Sequence, residues 1–186
     1  MSVALQNVVT TRTIRQNDRP MLALFVAIQF CRNHAFRDHL SGELGALAGD
    51  HAADHAAFLT SDWPRKLAGV LSDQYWVLGA STVGNRFYTS DTPVVGFTED
   101  GASGKTRDGF IPSGMQLGLP LAPTMLLRIF ERHHFAQHRQ ADGTLHQTTL
   151  GEVQGSNMVQ VCQSEALVLA DVDDFTYASP ALPNCL

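Results

Sequence analysis

Tyr75-Trp76-Val77-Leu78-Gly79 is the stretch on which the reading of the fold turns. Aromatic and β-branched side chains fit a pleated, half-buried surface, so this run is expected as a strand. The turn signal Gly84-Asn85 follows, and then the similar run Arg86-Phe87-Tyr88-Thr89, which together predict a β-hairpin. Pro93 ends the second strand, and residues 98–114 read as a polar, glycine-rich loop. Leu117 to Leu121 and Met125 to Phe130 read as two more strands around Pro120 and Pro123. The pair Asp142-Gly143 marks a further turn or hairpin between Glu131 and Gln147. Ser156 is expected to cap a short helix through Met158, Val159 and Cys162, ahead of a last strand from Ala166 to Ala170.

On the N-terminal side the texture is helical. Asn17 or Asp18 can cap a helix with Pro20 in its first turn, where the missing N–H is harmless. From Met21 to Cys31 only Gln29 is polar, so the helix is expected to be central, and to end near Leu40 to Gly42. A weaker helix is predicted over 43–60, and another from Asp62-Trp63-Pro64 with Leu67, Val70 and Leu71 as its buried stripe. Helices first and strands afterwards favour an α+β fold, with N-terminal helices packed on a mainly antiparallel sheet in one domain over residues 1–186.

The chain has 186 residues, a formal charge of −5 and a pI near 5.8, so no excess of Lys and Arg marks a phosphate-binding surface, and nucleic-acid binding is not expected. The apolar run at 21–31 is far short of the ~20 residues a bilayer span needs, so no membrane is expected. Cys31, Cys162 and Cys185 show no CxxC pair, which argues against a disulfide framework or structural zinc and for a reducing cytoplasm. No GxGxxG, no complete phosphate loop around Gly101 to Thr106 and no Gly-x-Ser-x-Gly elbow occurs, so no cofactor is expected.

Three constellations carry the chemistry that remains. Thr89-Ser90-Asp91-Thr92-Pro93 sets two hydroxyls and a carboxylate at a strand end, where Asp91 could serve as general base or metal ligand, or close a turn by accepting backbone N–H groups. Gln29 and Arg32 share a helix face, where the guanidinium could hold an anion bidentately, or form an internal ion pair with Asp91 as one partner. His51 and His55 are spaced i,i+4 like the histidines of zinc hydrolases, but Ala-Ala-Asp stands between them where a catalytic Glu would be needed. A second cluster is His133, His134 and His138.

Gln29-x-x-Arg32, the Trp76 strand leading into Phe87 to Val94, the Leu119-Pro120-Leu121-Ala122-Pro123 block and Asn157 opening the last helix appear in this order over roughly residues 18–178. That series resembles a bacterial family known only as domain of unknown function 4238. Members of that family typically begin with a His-Tyr-Val-Pro block, which this chain lacks, and follow the helix arginine with Thr-Pro, where this chain has Asn33-His34. The resemblance implies no known activity. The expectation is a binding or regulatory domain, truncated relative to the family, that forms a homo-oligomer or takes a separately encoded partner segment. The alternative is a hydrolase whose polar site gathers Gln29, Arg32, Ser90, Asp91 and Asn157.

Overall fold

The computed structural model describes residues 3–32, 59–82, 84–98, 111–171 and 175. Tyr75–Ala80 forms β1, in which Trp76, Val77 and Leu78 are all buried. Consecutive side chains of a strand point to opposite faces, so three buried in a row leave β1 no solvent face. It therefore lies inside a five-stranded sheet. With β2 (Thr89–Ser90), β3 (Val95–Thr98), β4 (Met115–Ala122), β5 (Met125–Phe130), β6 (Leu145–Gln147) and β7 (Val168–Leu169), the order is β3-β4-β5-β1-β6, and β2 and β7 form a separate pair. All pairs are antiparallel except β1–β6.

The expected hairpin between β1 and the Phe87 segment does not form. The turn is present, with Gly84 at φ +96° and Asn85 N donating to Thr82 O at 3.1 Å. Its two arms do not pair. β1 takes β5 instead, Tyr75 opposite Phe130 through to Ala80 opposite Met125. β5 offers apolar side chains to both faces, whereas the Phe87 arm runs into the polar Thr89-Ser90-Asp91-Thr92 and could not flank a strand buried on both sides. That arm crosses the sheet, with Phe87 N donating to Pro123 O at 2.8 Å, and Thr89–Ser90 pairs with Val168–Leu169. Between Glu131 and Gln147 the chain forms a 3-10 helix at Ala136–Ala141 and then the short parallel strand β6.

One face of the sheet carries Trp76, Leu78, Leu117, Leu119, Leu127 and Ile129. It packs against α1 (Val3–Thr11), α2 (Arg19–Cys31) and α3 (Trp63–Ser72), which contribute Val8, Leu22, Val26, Leu67 and Leu71. The expected helix starts are in place, with Asp18 and Asp62 at the caps and a proline in each first turn, although neither aspartate side chain makes a capping bond. The predicted end of the apolar helix near Leu40, the weak helix over most of 43–60 and most of the loop over 98–114 lie outside the described residues.

One carboxylate ties the helical layer to the sheet. Asp142 Oδ1 accepts from Trp76 N at 2.8 Å and from Arg19 Nη2 at 2.7 Å, while Arg19 Nη1 reaches Gln74 O at 3.4 Å. Beside it Gly143, at φ +77°, accepts from Ile14 N at 3.0 Å and donates to Trp76 O at 2.7 Å. Arg19 is 5% exposed, so removing Asp142 leaves a buried cation with its main counter-charge gone.

On the other face Gly79 lies under Thr148. A Cβ built on Gly79 would stand 2.6 Å from Thr148 Cγ2, while Thr148 Oγ1 donates to Ala80 O at 2.9 Å. Gly79→Ala should therefore lower stability by about 1–3 kcal/mol through overpacking. Adding Thr148→Ser, which removes the methyl and keeps the hydroxyl, should restore most of that loss in urea melts.

Candidate functional site

The second face of the sheet is closed by α4 (Leu150–Gln163) and by the crossing arm that α4 holds. α4 begins seven residues' worth of chain before the expected start at Ser156, because Thr149-x-x-Glu152 is a capping box. Glu152 N donates to Thr149 Oγ1 at 3.3 Å and Thr149 N donates back to Glu152 Oε2 at 2.9 Å. Ser156 sits inside the helix. The buried positions Val153, Asn157, Gln160 and Val161 fall on one face, where helical spacing puts them.

Two of those four are amides, and with Gln163 they form a ladder along the arm. Asn157 Oδ1 accepts from Tyr88 N and its Nδ2 donates to Arg86 O, both at 2.8 Å. Gln160 Oε1 accepts from Ser90 Oγ at 2.8 Å, and its Nε2 donates to Pro93 O at 2.9 Å. Gln163 Oε1 accepts from Gly96 N at 3.1 Å, and its Nε2 donates to Gly96 O at 2.6 Å. Thr92 Oγ1 donates to Gln163 O at 2.6 Å. Each amide offers one acceptor and one donor group, which is what an extended backbone needs from a neighbour. α4 thus takes the place of a strand beside this arm.

The residues of the Thr-Ser-Asp block are absorbed by this arrangement. Ser90 is 7% exposed, and its Oγ lies 2.8 Å from Gln160 Oε1 and 3.0 Å from Thr92 O, two acceptors for one proton. Neither can take that proton as a base would. Asp91 is exposed and accepts from Glu165 N at 3.1 Å, Ala166 N at 2.8 Å and Leu167 N at 3.2 Å. It performs the turn-closing role considered for it, but across the fold, for the chain leaving α4. Asn157 has no exposed surface.

Gln29 and Arg32 are not drawn into this group. Among the described residues the Arg32 guanidinium meets Gln29 Oε1 at 3.5 Å, and Arg32 itself is exposed just past the last turn of α2. The internal ion pair expected for it, with Asp91 as partner, is not found among the described residues. α2 ends its described helix at Cys31, so the arginine has already left the buried stripe. Ser90 and Asn157 are joined through Gln160 and the arm backbone, and Asp91 stands beside them. The five candidates therefore do not converge through hydrogen bonds among the described residues.

His51 and His55 lie outside the described residues. His138 stacks on Phe130 at 3.9 Å and His134 meets Phe135 edge-on at 4.7 Å. The N–H groups of His133 and His134 donate to the buried Glu131 carboxylate at 2.8 and 2.9 Å. No three metal-ligating side chains gather among the described residues. Burial pushes the Cys31 thiol up to about 12, so it is no nucleophile. Cys162 is disulfide-bonded, against the expectation of unpaired thiols.

Two contributions were missed in the sequence. Gln160 and Gln163 follow Asn157 at intervals of three, a polar stripe beside Val153 and Val161 that signals an amide-lined helix face. Arg128 joins β5 to the start of α4, donating to Glu152 Oε1 at 2.7 Å with its guanidinium 4.7 Å from the Phe130 ring centre. Burial alone would raise the Glu152 carboxyl. Hydrogen bonds from Thr149 and Arg128, with the Arg128 charge, outweigh it and hold the group below its ordinary 4.5.

These observations define an α+β protein in which a helix bearing amide side chains stands in for a strand. The chain belongs to the family described as Protein of unknown function (DUF4238), whose model matches residues 1–174. The match takes in α1, ahead of the blocks that carried the likeness in the sequence. No curated protein matches the chain, and no solved structure does.

Asn157→Ala should orphan Tyr88 N and Arg86 O, at about 1–3 kcal/mol for each group left buried without a partner. Arg32→Ala should stay within about 0.5 kcal/mol in the same denaturation series. For Glu152 the folded pKa is depressed, so its contribution to stability is present above the unfolded value and disappears as pH falls through the folded one. Glu152→Gln should flatten the acid limb of the stability profile below about pH 5.

Proposed function

We propose that the chain is a non-catalytic binding or regulatory domain. The observation that carries this reading is the fate of Ser90 and Asn157, whose polar groups are spent on holding the arm to α4. A hydrolase needs a nucleophile beside a base with room for substrate, and a serine bonded to a buried amide offers none of these. A cytoplasmic setting is part of the proposal. Among the described residues no helix is long and apolar enough to cross a membrane, and the disulfide at Cys162 is the feature that bears against a reducing compartment.

The partner we infer is a second copy of the chain or a separately encoded segment. Leu167 and Leu169 are 51% and 49% exposed on either side of Val168, which turns inward to Tyr88 and Val161. Two exposed leucines, Leu169 in β7 and Leu167 just before it, are what a protein partner would cover. Light scattering over a wide concentration range should show association, and Leu167→Asp with Leu169→Asp should weaken it. A monomer at every concentration that binds no hydrophobic dye would overturn the partner. Turnover of ester or phosphate substrates, lost in a folded Ser90→Ala or Asp91→Asn variant, would overturn the non-catalytic reading.

A further inference from the structure

We infer that α4, the arm over 86–93 and β7 form one latch, which opens as a unit while the main sheet and its helical layer stay folded. This rests on how α4 is attached and not on the proposed function. α4 buries two apolar side chains, Val153 and Val161. Val153 packs with Phe87 and Leu126, and Val161 with Tyr88, in two small clusters separate from the main core. α2 by contrast places Leu22, Ala23, Val26, Ala27 and Cys31 in the main cluster.

Among the described residues the remaining attachment of α4 is polar, apart from the disulfide at Cys162. When it lifts, Asn157, Gln160, Gln163 and the backbone groups they serve all meet water, which replaces most of what each bond contributed. Opening exposes Phe87, Tyr88, Leu126, Val153 and Val161, far fewer apolar side chains than the main core holds, so it lies below global unfolding. The three parts are bonded to one another, so none can part from the others without breaking several of these bonds. The amides link α4 to Arg86, Tyr88, Pro93 and Gly96. Asp91 links the arm to residues 165–167, and β2 pairs with β7.

Hydrogen exchange by mass spectrometry on the full, folded chain tests this. Amides of 150–163 and 86–92 should share one protection level at least ~10-fold below that of β4 and β5. Protection of α4 equal to that of β4 and β5 would overturn the latch. Gln160→Ala should speed exchange in 86–92 together with α4 and leave β4 and β5 unchanged. Faster exchange confined to α4, or spread through the whole chain, would overturn the single unit. If that variant fails to fold, Asp91→Ala, at an exposed residue that ties the arm to residues 165–167, takes its place with the same outcomes.

Discussion

β1 has no side that can face water, and much of the architecture follows from that constraint. Trp76 and Leu78 on one face and Val77 on the other are buried within one strand. The first face is closed in the usual way, by helices with apolar stripes. The second is closed by whatever the chain can bring across it after β1. That is an arm whose outer half is polar, and it needs a cover that can satisfy an extended backbone as well as exclude water. α4 meets both needs because its buried face combines valines with amides.

A run of apolar residues on α4 would close the same space and leave the arm's N–H and C=O groups without partners. A true strand would satisfy those groups but would need a matching backbone in register. The amide ladder is intermediate between the two. It spaces its contacts by helix turns rather than by strand residues, so it engages Arg86, Tyr88, Ser90, Pro93 and Gly96 and passes over the residues between. Thr92 and Asp91 fill two of those gaps with side chains of their own.

The fold class was legible because periodicity is a local property. The apolar run from Met21 and the prolines at 20 and 64 mark helices wherever they end up packing, and both helices begin where those signals stand. Strand pairing is not local. Nothing in Phe87-Tyr88-Thr89 says that the turn at Gly84-Asn85 will carry the arm across a sheet instead of back along β1. The choice rests on β5 being the better neighbour, which lies more than 40 residues further on. The candidate site was legible in composition but not in role. Ser90, Asp91 and Asn157 do lie in one polar region, but their groups are taken up by Gln160, by the backbone of the arm and by the chain leaving α4. The capping box Thr149-x-x-Glu152 is a local signal in the sequence and sets the start of the helix, whereas Ser156 stands six residues inside it.

The bond pair between Gln163 and Gly96 has a meaning for life at high protein concentration. β3 is the terminal strand of the five-stranded sheet, and Gly96 turns both its N–H and its C=O away from β4. Such an open edge is a template on which another molecule's strand can grow, and natural proteins block it with charges, prolines or bulges. Here a single side-chain amide, which has the same donor and acceptor as a peptide group, occupies the position the next strand would take. This edge position is thereby guarded by one glutamine at the end of a helix, a residue that a screen for core or surface positions would pass over.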